Sequence, residues 1–309
     1  MAITAPSTRT DFAGFLRPEQ AGYIFERAAK MSVVMGLAGQ IPLGPEGKEI
    51  PVVTGKVQAG WIAEAGQKPA TKAAIALKTI QPHKLACIAV VSAEVIRANP
   101  GNYMGVLRDQ IAEAFAIAFD AAAMHDTDQA GTAGAGPFPT FLDQSANSVE
   151  IGSTAQASGG IHGDLVAGMK LLVDSGKRLN GFGLDDRMEP LLWGATDTTG
   201  RPLWIDLASN EVSIGLARPG LLLARPSFMG EGVWSNATKT LGYGGDWTQA
   251  VWGAVGGINY SVSTEATVTI NGVLVSLWEN NLVAIRAEAE YGFLVNDPAS
   301  FVKFVNVTP

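Results

Sequence analysis

The 309-residue chain is 47% hydrophobic and only 17% charged, so it can bury a full core, and its length suits two lobes. A net charge of -7 and a pI near 5.0 argue against a generic nucleic-acid binder, which would present a basic face. The single cysteine, Cys87, cannot close an intrachain disulfide, and its apolar setting reads as a small buried core residue.

Met1 to Thr10 is polar and lacks the apolar run of a secretory signal. Residues up to about Leu16 show little patterning and read as an arm. Pro18 then suits a first helical position, and the run to Lys30 carries acid early and base late, as a helix dipole favours. Gly36 and Gly39 close that region.

The segment from Ile50 to Val91 is the most informative. An extended run, Ile50-Pro51-Val52-Val53-Thr54, leads to a polar tip, Trp61-Ile62-Ala63-Glu64-Ala65-Gly66-Gln67-Lys68-Pro69-Ala70-Thr71, and a return run goes from Ile75 to Val91. A two-stranded arm of this kind buries too little of its own surface to be stable alone. It makes sense if the tip is covered by a neighbouring subunit, which points to assembly before catalysis.

Ser92-Ala93-Glu94 and Asn99-Pro100-Gly101 form a break, and a long helix follows from about Tyr103 to Asp126. Leu107, Ile111, Phe115, Ala118 and Ala122 make one apolar stripe, with Asp109, Glu113 and Asp120 expected off it. Phe115 to Met124 is its most apolar part, but that stretch is short, is broken by Asp120, and falls well under the ~18 apolar residues of a membrane span. The expected setting is soluble and cytoplasmic. After a Gly/Ala loop at Gly131–Gly136, a second helix is expected from near His162 to Asn180, with Gly181 and Gly183 as caps. Short strands and turns follow to about Ser276. From Val283 to Val295 apolar residues alternate with Arg286, Glu288 and Glu290, and Asn296-Asp297-Pro298 turns into a last strand from Phe301. Helices and strands mix without a βαβ rhythm, so the class is α+β.

Chemistry-bearing motifs are sparse. His83, His125 and His162 are far apart, lack partners at metal-ligand spacing, and read as solvent-facing or capping residues, so no metal site is expected. There is no G-x-S-x-G elbow, no Walker glycine loop, and no nucleophile triad around Cys87; no catalytic residue and no cofactor is expected. Glu288 and Glu290 sit on the polar face of a strand, where a solvated or interface role is the plain reading. The seven tryptophans, spread over turn-rich stretches, suit core packing and subunit contacts.

Several phrases then fall in a telling order. Ile50-Pro51 leads into Trp61-x-x-Glu64 and a Lys68-Pro69 tip, and Leu85 to Glu94 enters the long helix. Asp197-Thr198-Thr199-Gly200-Arg201-Pro202-Leu203 comes next, followed by Ala224-Arg225-Pro226 and Gly245-Asp246-Trp247. Asn281 to Arg286 with Asp297-Pro298-x-x-Phe301 completes the set. From Pro18 to Val307 this order resembles the major capsid protein of tailed bacteriophages, a fold also used by encapsulin shells. The resemblance implies an N-terminal arm and helix at 1–49, an extension loop at 50–91, and a peripheral domain with a long spine helix at 92–145 and 277–309. An axial domain would span 146–276. Trp61, Ile62, Glu64, Lys68 and Pro69 would then make inter-subunit contact. Asp197, Gly200, Arg201, Asp246 and Trp247 would form axial-domain turns. The implied function is structural and not enzymatic. Hexamers and pentamers would close into an icosahedral head around double-stranded DNA, without sequence-specific contact and without a membrane. The implied partners are further copies of the chain, with scaffolding, portal and decoration proteins; because Met1 lies so near the N-terminal helix, any scaffold is expected to be a separate protein. The implied location is the virion, with assembly in the host cytoplasm. Two alternatives stand beside this reading: a cellular encapsulin-type nanocompartment, and an enzyme with a site in the turn-rich axial region.

Overall fold

The computed structural model describes residues 32–55, 59–62, 74–98, 103–155, 159–195, 204–206, 218–270 and 272–306. The expected arm and the helix at 18–30 lie outside them. The described chain begins at Ser32, whose Oγ accepts the Met35 amide at 3.0 Å and so caps the short helix Val33–Leu37. Strand β1 (Gly39–Gln40) follows. Strands β2 (Lys48–Gly55) and β3 (Ala74–Ile80) form an antiparallel hairpin with Lys48 opposite Ile80 and Val53 opposite Ile75. Gly47 opens it at φ +83°, where a Cβ would lie 2.6 Å from the Ile80 carbonyl oxygen, so the close approach needs glycine.

The return run does not reach Val91 in one piece. It breaks at Gln81-Pro82, where proline offers no amide to a ladder, and β4 (His83–Ser92) leaves the hairpin to join the body. The projecting hairpin is therefore Lys48–Ile80, shorter than the expected 50–91 segment.

A short helix, Ala93–Ala98, precedes the long helix Tyr103–His125, whose 23 residues span about 35 Å. Leu107, Ile111, Phe115, Phe119 and Ala122 form its buried stripe. The helix stops at Asp126, which takes φ 50° and whose carboxylate accepts the Phe138 amide at 2.8 Å. Asp120 departs from expectation. It is buried on the apolar side, because its carboxylate serves the Val33–Leu37 helix.

Strand β5 (Ser148–Glu150) leads to the helix Gly160–Asp174. That helix ends six residues before the expected Asn180, at Ser175-Gly176, where the Gly176 and Lys177 amides bond back to Val173 and Leu172. Gly181 and Gly183 are not its caps. They lie in β6 (Gly181–Leu184), where a Cβ would meet the Trp247 ring at 3.0 Å and 3.2 Å respectively. The chain continues through the helix Glu189–Gly194, β7 (Trp204–Asp206), β8 (Arg218–Leu222), β9 (Arg225–Met229) and β10 (Thr240–Gly245). It ends with β11 (Ala250–Ala254), β12 (Asn259–Ser263), β13 (Thr267–Ile270), β14 (Val273–Ser276), β15 (Leu282–Val295) and β16 (Phe301–Val305).

Two sheets organise the body, and the α+β class holds. In the first, the 14-residue β15 carries β4 along one edge and β12 then β11 along the other, with β1 parallel outside β11. The long helix packs on it through Phe119, whose ring lies 5.4 Å from Tyr291 and 6.2 Å from Phe293. The second sheet has the order β5-β16-β10-β6-β9-β8-β7 and is covered by the helix Gly160–Asp174 through Leu165 and Leu172. Among the described residues the chain crosses between the sheets three times, from β4 to β5 by way of the long helix, from β10 to β11 and from β15 to β16. Sheet membership therefore does not follow the expected boundary at 276/277: β11 and β12 join β15, and β16 returns to the other sheet.

Candidate assembly surface

The β2–β3 hairpin is two-faced by its register. Ile50 and Val52 share a face with Lys78 and Ala76, and this face packs at its base on Leu43, Ile80 and Leu294. Lys78 Nζ donates to the Asn296 carbonyl oxygen, tying the base to the body. The opposite face pairs Val53 with Ile75 and Pro51 with Leu77. Val53, Ile75 and Leu77 stay 65%, 68% and 64% exposed. Such a stripe of aliphatic side chains in water is what an uncovered interface looks like. Beyond β2, Trp61 is fully exposed and Ile62 partly so, while Glu64, Lys68 and Pro69 lie outside the described residues.

A second apolar hairpin, β13–β14, escaped the sequence reading. Val268 and Val275 pack inward beside Leu277, Leu282 and Ala284, while Val273, Leu274 and the neighbouring Trp278 are left largely in water. Its signal was present: Asn271-Gly272 between two β-branched runs is the dipeptide of a tight hairpin, and Gly272 takes φ +81°. One hairpin packs near Leu294 and the other near Leu282, so about 40 Å of strand separates the two bare arms.

Asp246 and Trp247 sit at the junction of the sheets. The Asp246 carboxylate accepts the Thr248 amide at 3.2 Å and the Asn180 amide group at 2.9 Å, starting a tight turn. Trp247 is buried, edge-on to Phe301 at 5.3 Å, and spans the two glycines of β6. Both residues shape the crossover. Asp197, Gly200 and Arg201 lie outside the described residues.

His125 overturns the expectation of a solvent-facing or capping histidine. It is buried, with Nε2 2.8 Å from the Val233 carbonyl oxygen, which can only accept, so Nε2 carries a proton. Nδ1 lies 3.0 Å from Asp143 Oδ2 and 3.1 Å from Tyr243 Oη. Burial raises the Asp143 carboxyl, but the hydrogen bond and charge of His125, with the charge of Lys303, outweigh it and hold the group below its ordinary value. Burial, then the Asp143 charge, push the Tyr243 phenol far up. Partners 18 and 118 residues away are invisible to local spacing, which is why sequence missed this cluster. It fastens the end of the long helix to β10 of the seven-stranded sheet and to the turns at Leu142–Gln144 and Glu231–Val233.

A cleft of about 500 Å³ lies beside the Val33–Leu37 helix, lined by Leu37, Asn180, Phe228, Trp247 and neighbours, none of them titratable. Among the described residues, no cluster of His, Cys, Asp and Glu could hold a metal ion.

Comparison with known proteins agrees with this picture. The model of the phage capsid family matches residues 13–306. The "Probable major capsid protein gp17" of Mycobacterium phage D29 is 43% identical over 310 residues, covering 99% of this chain and 94% of the relative. Its namesake in Mycobacterium phage L5 is 44% identical over 306 residues, with 96% and 90% covered. A solved chain from Gordonia phage Cozz superposes with a TM-score of 0.70 at 23% identity, covering 90% of this chain and 87% of that one. A chain of a structure titled "Capsid of empty GTA particle computed with C5 symmetry" gives 0.61 at 17% identity, covering 98% and 95%.

Proposed function

The chain belongs to the phage capsid family, and from that premise we propose that it is the major capsid protein of a tailed bacteriophage, assembling as hexamers and pentamers into the icosahedral head that encloses double-stranded DNA. Closed point-group symmetry lets one chain build the whole surface. The observation that supports this reading is the uncovered aliphatic face of Val53, Ile75 and Leu77, which neighbouring copies would take out of water.

In this reading the Lys48–Ile80 hairpin is the extension loop, and its tip, with Trp61, Ile62, Glu64, Lys68 and Pro69, lies over a neighbouring subunit. The long helix is the spine of a peripheral domain built with the five-stranded sheet. The seven-stranded sheet supplies most of an axial domain, whose Asp197, Gly200 and Arg201 turn faces its symmetry mates. Scaffolding, portal and decoration proteins complete the set of partners, and assembly takes place in the host cytoplasm. A net charge of -7 suits a container whose DNA contacts read no sequence.

Negative-stain microscopy of the expressed chain tests the proposal. Closed round shells of uniform size are the expected result. A monodisperse monomer that forms neither rings nor shells at any concentration would overturn it. The matched curated relatives are phage proteins, which favours a head over a cellular compartment.

A further inference from the structure

The five-stranded sheet has one long open edge. Strand β4 pairs with β15 through ten consecutive residues, from His83 opposite Tyr291 to Ser92 opposite Leu282, without a bulge. Among the described residues no strand pairs with its other side. The remaining edge strands of the two body sheets are short, with two residues in β1, five in β12, and three each in β5 and β7. Proteins guard exposed edges by keeping them short or by placing proline, charge or a bulge there. Within β4 the one such device is Lys84. Alternate residues of an edge strand aim their N–H and C=O groups outward. The side chains show the same opening. Leu85, Cys87 and Ala89 lie beside the buried Ala289, Ala287 and Ile285 of β15 yet stay only partly buried, at the border of the main core, and Ile88 on the other face is 45% exposed.

The projecting hairpin carries a matching edge. On β2, Pro51 has no amide and the register shifts between Val53 and Gly55, so that edge is guarded. Strand β3 carries neither device from Ile75 to Thr79. Its bare row, Ile75 and Leu77, has the two-residue spacing of Leu85, Cys87 and Ala89. The opposite face of β15 carries Arg286, Glu288 and Glu290, beside which an aliphatic row gains nothing. Within one subunit β3 and β4 diverge at Gln81-Pro82 and do not pair, so a β3 edge for β4 has to come from another copy.

We propose, resting on the capsid reading above, that β3 of one copy adds to the β4 edge of a neighbouring copy, so that the projecting hairpin joins the neighbour's five-stranded sheet. Ile75 and Leu77 then lie beside Leu85, Cys87 and Ala89 and carry the neighbour's core outward past its present border. Strand addition supplies backbone hydrogen bonds together with apolar burial. It also fixes the register of the contact, because a slip of one residue would turn Ile75 and Leu77 onto the charged face.

Cys87 is the chain's single cysteine and serves as the probe. In shells assembled from Ile75→Cys or Leu77→Cys and oxidised with diamide, at least one variant should give a disulfide-linked dimer on a non-reducing gel. The dimer should vanish in a Cys87→Ser background, and Ala76→Cys, on the opposite face, should give none. Intact shells with no Cys87-dependent dimer from either variant would overturn the proposal, as would an equal yield from Ala76→Cys. Wild-type protein gives a second reading that needs no variant to assemble. Amide exchange at alternate residues of β4 should slow at least about tenfold between the dissociated chain and the shell, and unmoved β4 exchange in intact shells would also overturn it. A wild-type chain that forms no shell sinks the capsid reading and this proposal with it, so the two failures are told apart.

Discussion

Replacing Ile75 and Leu77 together by serine separates assembly from folding. Each side chain is about two-thirds exposed in the single chain, so each retains roughly 1–2 kcal/mol of the ~1.5–3 kcal/mol that full burial contributes. The double variant should therefore weaken each inter-subunit contact by about 2–4 kcal/mol, roughly 30- to 1000-fold in its equilibrium constant. Every subunit would donate one such face and receive another, so the concentration threshold for shells should rise by at least that factor. Light scattering against concentration reads the threshold, and circular dichroism of the dissociated chain reads the fold. Melting of the single chain should not change, whereas Ile80→Ser, at 1% exposure on the same strand, should destabilise it severely. Shells forming at the wild-type threshold, or a melting loss matching that of Ile80→Ser, would refute the reasoning.

Trp61→Ala should lower the yield of intact shells while leaving the dissociated chain folded, as gradient sedimentation and circular dichroism would show, because the indole is fully exposed in the single chain. Gly245→Ala would place a methyl 2.4 Å from Phe301 Cδ1 and 2.6 Å from the Ser300 carbonyl oxygen, so it should cost about 1–3 kcal/mol in denaturant unfolding. Asp143→Asn leaves His125 and Lys303 without their buried anion and should cost about 3 kcal/mol at pH 7. Because the Asp143 carboxyl is lowered in the fold, its contribution is present above its ordinary pKa and is lost as pH falls through the folded value. The gap between wild type and Asp143→Asn should therefore close in acid.

The elements that could be read from the sequence are those whose reason is local. Alternation from Val283 to Val295 marks β15 because one face meets the long helix, and the stripe from Leu107 to Ala122 marks the surface that meets it in return. The turns at Asp246-Trp247 and Asn296-Asp297-Pro298 were visible separately, but only the fold shows that they lie side by side. Misreadings cluster where a residue answers to distant chain. Asp120 and His125 looked like surface polar groups because their partners come from the Val33–Leu37 helix, the Leu142–Gln144 turn and β10. Gly181 and Gly183 looked like caps, whereas their missing side chains make room for Trp247. The tryptophans divide in the same way. Trp247 and Trp252 are core, while Trp61, Trp193 and Trp278 face water, and composition alone cannot sort them.

The junction between the sheets explains why movement should concentrate in the hairpins. Asn296 donates its backbone amide to the Gln249 carbonyl at 2.7 Å and its side-chain amide to Gln249 Oε1 at 2.7 Å. Asp246 donates to the Ser300 carbonyl at 3.0 Å, Asn180 donates to the Gly245 carbonyl at 2.9 Å, and Lys177 pairs with Asp297. Hinging one sheet against the other breaks several of these links at once, each contributing ~0.5–1.5 kcal/mol, and also opens the aromatic packing of Trp247 on Phe301. Among the described residues the β2–β3 hairpin is held at its base by the small Leu43, Ile80 and Leu294 cluster, the Lys78 bond to the Asn296 carbonyl and a long Lys48 bond to the Pro42 carbonyl at 3.5 Å. A subunit that must adjust to neighbours at both five-fold and six-fold positions would bend there first. Asn296 stands at the meeting point, since its two donors lock the crossover while its carbonyl holds the arm.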